Sequence, residues 1–394
     1  MSVATTVLVT DGQLRPSLAV VRSLGRAGHR VVVCSSRRRS LAGASRFAAD
    51  EARVPDPLTA PTEYVDAVVE LTSRWHVDVL LPISEESLLG LLPAAARMPA
   101  VRLPFPSLDV FRSAADKAHV TALAATLGIA VPDQVVVHSR DEIIRLRDAA
   151  LLSFPIVVKP GRSVADTTAT RTKLGVAYAM DEAELERLLT TMPDAAYPLL
   201  LQRRIEGPGT GVFLLLWNGQ LLATFAHRRI REKPPTGGVS VCAESIALDP
   251  ETLAQAEALL SALDWRGAAM VEFKQDRHDG RHYLMEINGR FWGSLQLAVD
   301  AGVDFPALLV AAAMGEPSMP APAYRVGVRC RWWWGEVDHL LARVRRPDEA
   351  PRDGGRMRAV REFLLPGAGV RNEVLRADDP WPFARESLDW LRGR

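Results

Sequence analysis

Short runs of apolar residues alternate with helical spacing through the first third of the chain. Continuous apolar runs at residues 6–10, 30–34 and 78–82 predict buried strands, and an amphipathic pattern at 16–27 predicts a helix between the first two. Strands and helices at this spacing are typical of a parallel sheet covered by helices. We therefore expect residues 1–112 to form a small doubly wound α/β domain.

Two features of this domain bear on the ligand it could bind. The turn at residues 10–16 lacks the GxGxxG spacing that lets a backbone approach a pyrophosphate, which disfavours a nicotinamide dehydrogenase. Ser84-Glu85-Glu86 follows the strand at 78–82 and could line a crevice at its carboxyl end. A serine cap followed by two acids is also ordinary chemistry for the start of a helix, and we favour that interpretation.

The next third combines apolar strands with polar loops. A helix is predicted at 111–128, and an apolar strand at 154–161 carries Lys159 immediately before Pro160. A lysine at the end of a strand is suited to binding phosphate. The alternative is an exposed lysine that only makes the surface more soluble. The polar segment 161–175 is a candidate lid over a nucleotide, or a surface loop without function.

A second strand-rich region begins near residue 199. The Gly- and Pro-containing segment 206–211 marks a break, and Asn218-Gly219 predicts a tight hairpin. Because ligand pockets form preferentially between domains, the break is a candidate nucleotide crevice. The following segment, 227–233, gathers arginines and a lysine that could neutralise phosphates, hold a carboxylate or form an exposed basic strand.

Two acidic residues stand in apolar surroundings near residue 280. Strands are predicted at 268–275 and 281–287, and they contain Glu272 and Glu286. A buried carboxylate needs a cation, because leaving it unpaired is costly. Asn288 lies on the same face as Glu286 and completes an all-oxygen donor set that suits Mg²⁺.

Arg290 continues on that face by strand alternation. It could hold an anionic substrate or offset the charge that develops during phosphoryl transfer. The alternative is that Glu272 and Glu286 face solvent at a sheet edge and pair with surface cations such as Lys274. The hairpin alone leaves both interpretations open.

Composition narrows the classes of function. The chain has 394 residues, 48% of them hydrophobic and 24% charged, which is typical of an enzyme with two or three domains, and the net charge of +1 gives no reason to expect nucleic acid. Cys34, Cys242 and Cys330 are far apart and form no CxxC pair, so neither a disulfide framework nor a zinc site is implied. The longest apolar run, 307–314, is too short to span a bilayer. We expect a cytoplasmic protein without a membrane partner. A homodimer is possible.

In their order along the chain, these pieces resemble the ATP-grasp superfamily, and especially its carboxylate-amine ligase branch, often labelled carbamoyl-phosphate-synthase-like. The resemblance covers residues 1 to about 315 and rests on the Asp116-Lys117 helix, the strand ending in Lys159, the strand LLLQRRIEG and the hairpin LMEINGRFWGSLQL. It implies a mixed α/β and α+β architecture. The expected parts are a Rossmann-like pre-ATP-grasp domain, a small lobe with a central linker helix, a large lobe carrying the metal-binding hairpin and a C-terminal extension, at residues 1–112, 113–198, 199–318 and 319–394.

The same resemblance implies roles for individual residues. Two lysines look like phosphate ligands and the strand near residue 202 looks like the adenine-binding hinge, so the residues expected around ATP are Lys117, Lys159, Gln202, Arg203, Ile205 and Glu206. Glu272, Glu286 and Asn288 resemble the ligands of two Mg²⁺ ions, with Mn²⁺ as an alternative. Arg290, together with Lys159, resembles the group that steadies an acylphosphate.

Two positions depart from the family pattern. Met270 stands where some ligases carry an arginine, and Gly209 stands where certain relatives have a ribose-binding glutamate. We expect Arg231, with Arg228 and Arg229, to replace the missing positive charge. The ribose contact is left to Glu206 by proximity.

The sequence therefore predicts an ATP-dependent ligase that joins a small-molecule carboxylate to an amine through an acylphosphate, releasing ADP and phosphate. A carboxylate kinase or a carboxylase of the same fold begins with the same step and is kept as an alternative. A regulatory protein that only binds nucleotide is a third hypothesis, which the three convergent oxygen ligands disfavour.

Overall fold

A computed structural model of the chain describes residues 5–166, 170–235, 237–316, 323–345, 355–365, 367 and 369–393. The strands are β1 Thr6–Val9, β2 Arg30–Ser35, β3 Ala48–Arg53, β4 Val79–Leu81, β5 Gln134–Val137, β6 Ile156–Pro160, β7 Val164–Asp166, β8 Arg171–Lys173, β9 Ala177–Ala179, β10 Leu199–Arg203, β11 Gly209–Trp217, β12 Gln220–Lys233, β13 Val239–Ser245, β14 Gly267–Gln275, β15 His282–Asn288, β16 Arg329–Arg331 and β17 Arg371–Asn372. The helices are α1 Arg15–Arg26, α2 Pro61–Arg74, α3 Glu85–Leu91, α4 Leu108–Ala115, α5 Lys117–Thr126, α6 Arg140–Asp148, α7 Glu182–Thr191, α8 Pro250–Ala262, α9 Leu295–Ala301, α10 Phe305–Met314, α11 Trp333–Arg345, α12 Arg356–Leu364 and α13 Trp381–Leu391.

The first sheet is parallel, with the order β3-β2-β1-β4. Its central strands β1 and β2 are apolar and buried, as their continuous hydrophobic runs predict. The strand β3 was missed because its sequence, AADEAR, is polar and its residues are half-buried or exposed at the sheet edge. The carboxyl ends of β1 and β4 meet at one edge, next to the start of α3.

The second sheet has the order β5-β10-β6-β9 and is covered by α6 and α7. The strand β10 lies between β5 and β6 and pairs with both in antiparallel register. Residues 199–203 therefore belong to this sheet, and the boundary expected at residue 199 is corrected to a position after β10. The apolar side chains Leu199 and Leu201 pack into this sheet's own core, which is why the strand belongs there.

The helix expected at 111–128 is two helices, α4 and α5. The helical conformation is interrupted at Asp116, where the backbone is extended. The Asp116 carboxylate accepts hydrogen bonds from the N–H groups of Ala118 and His119, both at 3.1 Å. Such a side-chain cap starts a new helix, because it satisfies backbone donors that would otherwise lack partners. The break places Lys117 at the first position of α5, facing the later hairpin.

The segment expected as a lid contains a short hairpin, β7–β8, and residues 167–169 of it lie outside the described residues. The hairpin reaches the first domain. The Arg171 N–H donates to the Leu58 carbonyl at 2.7 Å, and the Lys173 ammonium lies 3.7 Å from the Glu86 carboxylate.

The third sheet has the order β15-β14-β11-β12-β13-β16-β17. Its tight turn at Asn218-Gly219 has positive φ at both residues, 51° and 74°, as the sequence signal predicts. The basic segment 227–233 forms the end of β12, which continues to Lys233 with a bulge near Ile230.

The C-terminal extension joins this sheet through β16 and β17. The strand in the segment 324–334 is β16, and α11 begins at Trp333. Aromatic packing holds α11 against the other helices of the extension: the Trp334 ring stacks on Trp390 of α13 at 4.2 Å between centroids, and Trp333 packs against Phe363 of α12 at 5.4 Å.

A buried ion pair joins the extension to the first domain. Arg22 of α1 lies 2.8 Å from Asp379, and both side chains are almost fully buried. The Arg22 guanidinium also donates to the carbonyls of Glu373 and Val374, at 2.9 Å each. Arginine is suited to such a site because its planar fork satisfies several acceptors at once.

Among the described residues, no single helix is long and apolar enough to cross a bilayer. The helices α9 and α10 reach the required length and composition only together, across an 89° bend.

We predict that Arg22→Met lowers the free energy of unfolding by about 3–5 kcal/mol, because Asp379 is left buried without its cation. Urea denaturation followed by circular dichroism measures the change. Arg26→Met is the matched control, since the pair formed by Arg26 and Asp378 in the same helix is substantially exposed and should contribute less than about 1 kcal/mol. Equal, small effects of the two substitutions would contradict this account.

Candidate active site

Two carboxylates face each other across the hairpin of β14 and β15. Glu272 and Glu286 are direct partners in the antiparallel register, and a bulge follows between Glu272 and Phe273. The strands around them are apolar because their other face forms the core of the third sheet, with Val271 and Phe273 fully buried. Like charges directly opposite each other are destabilising, so this pair depends on neighbouring cations.

The cation for Glu272 is Arg229 of β12. Its Nη2 donates to Glu272 Oε2 at 2.5 Å and its Nη1 donates to Glu232 at 3.0 Å. The side chain reaches across β11 over Gly209, where an added Cβ would lie 3.3 Å from Arg229 Cδ. Burial raises the pKa of Glu272, and Arg229 opposes this rise. Burial disfavours the charged form of Arg229, but Glu272 and Glu232 outweigh it and raise the Arg229 pKa.

Glu286 belongs to a chain of polar contacts that leads out of the hairpin. The Asn288 amide donates to Glu286 Oε1 at 3.0 Å, and Arg290 Nη2 donates to Asn288 Oδ1 at 3.3 Å. Lys117 Nζ lies 3.8 Å from Glu286 and donates to Ser163 Oγ at 3.0 Å. Burial opposes ionisation of Glu286, but Lys117 and Lys159 outweigh it and lower the Glu286 pKa.

Lys159 lies at the buried end of the same region. Its exposed fraction is 9%, and its ammonium lies 3.9 Å from Met285 Sδ. Burial lowers the Lys159 pKa, while Glu286 and Glu272 oppose that shift. Met285, Ile205 and Tyr283 form a small apolar cluster beside it, which is the kind of surface that packs against a flat base.

The expected hinge residues do not all face this cluster. Gln202 is buried and donates through Nε2 to Gln134 at 2.5 Å, and Ile205 contributes to the apolar cluster. Arg203 instead bridges Asp133 and Asp276, at 3.2 Å to each. The Glu206 side chain is exposed.

Arg231 lies away from the cleft, which corrects the expectation that it would act there. It forms an ion pair with Glu336 of the extension, and the bulge near Ile230 separates it from Arg229 in the sheet register. Arg228 pairs with Glu244. Of the three arginines expected to supply positive charge, Arg229 is the one that contacts Glu272.

One cleft collects the remaining groups. It lies between the first domain, α4, α5 and the end of β15, and its charged or polar lining residues are Glu85, Lys117, Ser163, Glu286, Asn288 and Arg290. Sequence reasoning assigned Glu85 to the start of a helix and left Ser163 within a candidate lid. The Ser84 side chain does cap α3, accepting from the Ser87 N–H at 3.1 Å. Glu85 is therefore both the first residue of this helix and part of the cleft lining.

The oxygen donors in this cleft fit Mg²⁺. Glu286 and Asn288 lie side by side at its wall, and Glu272 faces Glu286 with one carboxylate oxygen held by Arg229. The set contains no soft ligand, and hard oxygen donors are those that Mg²⁺ prefers. Within the described ranges, no group of three or more His, Cys, Asp or Glu residues could hold a metal, so the remaining ligands would come from a bound nucleotide and water.

Part of the chain is similar to a known family. The family described as "ATP-grasp in the biosynthetic pathway with Ter operon" matches residues 195–335, which contain β14, β15 and Arg229. A curated relative, the D-alanine--D-alanine ligase of Xanthomonas axonopodis pv. citri, is 28% identical over 233 residues, covering 54% of this chain and 69% of that ligase.

Solved structures agree on the fold. The ADP complex of N5-carboxyaminoimidazole ribonucleotide synthetase superposes with a TM-score of 0.65 at 16% identity, covering 88% of this chain and 86% of that one. The L-amino acid ligase from Bacillus licheniformis gives a TM-score of 0.59 at 19% identity, with coverages of 79% and 75%. The chain therefore has the ATP-grasp fold, and residues 195–335 match an ATP-grasp family model. The predicted fold class, a Rossmann-like domain followed by a two-lobed ATP-grasp fold, is confirmed.

Lys274, a surface cation in the alternative interpretation of the hairpin, is half-buried and contacts the hinge segment. Its Nζ donates to the Ile205 carbonyl at 3.5 Å, and burial lowers its pKa. The signal available was its position two residues after Glu272, on the same face of β14. Glu272 does not face solvent, since its side chain is buried and paired with Arg229, whereas the Glu286 side chain is half-buried.

We predict that Arg229→Met makes the ligand-free ATP-grasp protein lose more stability as the pH rises. Because the Glu272 pKa is raised in the folded protein, its folded form binds a proton more tightly, and stability decreases as the pH rises through that pKa. Removing Arg229 should raise the Glu272 pKa further and steepen the loss of stability as the pH rises above about 4.3, the ordinary pKa of a glutamate. Urea denaturation in the presence of a chelator measures it.

Arg228→Met is the control, because Arg228 lowers the pKa of Glu244 and its removal acts at the acidic end of the range. Parallel stability curves for wild type and Arg229→Met from about pH 5 to about pH 8 would contradict the assignment of Arg229 to Glu272.

Proposed function

We propose that this protein is an ATP-dependent carboxylate-amine ligase, forming an amide through an acylphosphate and releasing ADP and phosphate. One observation carries the proposal: Glu272 and Glu286 face each other on paired strands, with Asn288, Lys117 and Arg290 lining or adjoining one cleft. This is a set of oxygen ligands and cations around a site for a transferring phosphoryl group.

The chemistry follows from these positions. A substrate carboxylate oxygen attacks the γ-phosphorus of ATP in line, the bond to the β-phosphate oxygen breaks, and ADP leaves. Lys117 and Lys159 neutralise phosphate oxygens, and Arg290 stabilises the acylphosphate. Mg²⁺, held by Glu272, Glu286 and Asn288, would offset the negative charge of the phosphates when it is bound. Two ions, and replacement by Mn²⁺, are part of this proposal.

The adenine base would pack on the apolar cluster of Ile205, Tyr283 and Met285. Gln202, close to Lys159 in the sheet register, is proposed as the polar residue that reads the edge of the base. Arg203 would then act through the hinge backbone, because its side chain is engaged with two aspartates. Glu206, exposed beyond the hinge, is retained as the candidate for the ribose.

We also propose a division of labour among the parts of the chain. Residues 1–112 form the pre-ATP-grasp domain, 113–203 the small lobe, 204–318 the large lobe, and 319–394 an extension. The cleft draws residues from the first three parts, which supports a site that assembles only when they are together.

The names of the relatives favour amino acids as substrates. The curated relative is a D-alanine--D-alanine ligase and one structural neighbour is an L-amino acid ligase. We therefore propose small amino acids or similar molecules as the carboxylate and the amine.

The test is nucleotide turnover with Mg·ATP and separate pools of amino acids, hydroxy acids and amines, with ADP and AMP separated by chromatography. We expect ADP and phosphate to form only with a substrate pool, and Glu286→Gln to reduce the rate by at least about a hundredfold. Glu244→Gln is the matched control, since this carboxylate lies in the same sheet and pairs with Arg228 and Arg329 outside the cleft.

The outcomes separate the alternatives. Formation of AMP and pyrophosphate would show that the carboxylate is activated by adenylation and not as an acylphosphate. ADP formation that requires bicarbonate and no amine would indicate a carboxylase. Tight ATP binding without turnover in any pool, or full activity of Glu286→Gln, would overturn the proposal.

A further inference from the structure

One carboxylate in the cleft is not used by the chemistry above. Glu85 is the first residue of α3 and lines the same cleft as Lys117 and Arg290. It is half-buried, and in the described part of the chain no lysine or arginine nitrogen lies within 4.0 Å of its carboxylate. Burial raises the Glu85 pKa, against the opposing effects of Arg290 and Lys117.

The turn that presents Glu85 is held in place by a buried aspartate. Asp11 Oδ2 accepts hydrogen bonds from the Ser84 N–H at 3.1 Å and the Ile83 N–H at 3.3 Å, and its Oδ1 accepts from Ser87 Oγ at 2.9 Å. These bonds tie the end of β4 to the end of β1. The Glu85 side chain is therefore presented to the cleft by a backbone with little freedom to move.

An acid at this position opposes the other ligands of the cleft. ATP and an acylphosphate are both anionic, so an unpaired carboxylate on the facing wall would weaken their binding unless a cation accompanies it. In the proposed site the metal is held by Glu272, Glu286 and Asn288 of the hairpin, so Glu85, on the first domain, has no cation assigned to it. The amine substrate of a ligase is a cation when it enters, and it must approach the acyl carbon beside Arg290.

Resting on the proposed ligase function, we infer that Glu85 is the binding residue for the amine substrate. Its carboxylate pairs with the incoming ammonium and takes one proton from it as the nitrogen attacks the acyl carbon. The new C–N bond forms, the C–O bond to phosphate breaks, and phosphate leaves with the electron pair and the second proton. Glu85 would thus select primary amines that carry a positive charge in solution.

The test compares two nucleophiles on the same acylphosphate. Hydroxylamine is small and uncharged at neutral pH, so it can trap the acylphosphate as a hydroxamate without a carboxylate partner. Using the amino acid pool as the carboxylate source, we expect Glu85→Gln to keep hydroxamate formation within about twofold of wild type. The rate of amide formation with amino acids, whose amino group is an ammonium ion in solution, should fall by about tenfold or more, mainly through a higher KM for the amine.

Controls keep the two hypotheses apart. Glu85→Asp, which keeps the charge, should recover part of the amide formation, and Asp109→Asn, which removes an exposed acid from α4, should change neither product. Equal loss of both products in Glu85→Gln, or loss of neither, would overturn the role of Glu85 while leaving the ligase intact. If wild type forms no hydroxamate with any carboxylate, the ligase proposal itself fails and Glu85 loses its assignment with it.

Discussion

The structure depends on two carboxylates that are held face to face on buried, paired strands. Glu272 and Glu286 repel each other. The hairpin cannot turn their side chains out into solvent, because its opposite face forms the core of the sheet. Arg229 is bound to one, and Lys117 lies near the other. Divalent metal, if held by these carboxylates, would relieve the repulsion, and the phosphates of a nucleotide would pair with the lysines. The charges of the site thus match those of Mg·ATP.

Buried ion pairs join the first domain to the C-terminal extension. Arg22 of α1 holds Asp379 of the extension, and Arg15 at the start of the same helix pairs with the buried Glu373. Arg15 also lies close to Gly293, three residues beyond Arg290, where an added Cβ would come within 3.2 Å of its Nη2. The extension therefore supports the first domain and the segment after the hairpin at the same time. This gives the tail a structural role, although its sequence carries no motif.

Much of this could be predicted from local patterns. Continuous apolar runs indicated the buried strands, Asn218-Gly219 indicated its hairpin, and the order of the motifs indicated the ATP-grasp fold. Local patterns failed where tertiary packing decides. The acidic edge strand β3 has no hydrophobic run, and the helix near residue 116 breaks at a side-chain cap. Choosing Arg229 over Arg231 needed the position of a bulge, because one extra residue in a strand reverses which side chain faces the site. The sequence pointed to Glu85 as an acid at the start of a helix. Its place in the cleft depends on where the first domain packs, which local patterns do not show.

The most direct measurement follows a heavy oxygen isotope placed in the substrate carboxylate. If the carboxylate attacks the γ-phosphorus to form an acylphosphate, one labelled oxygen must stay with phosphorus when the amine displaces phosphate, and mass spectrometry will find it in inorganic phosphate. The account predicts one labelled oxygen per amide formed. Unlabelled phosphate, with the label in AMP or retained in full by the organic product, would contradict the central claim.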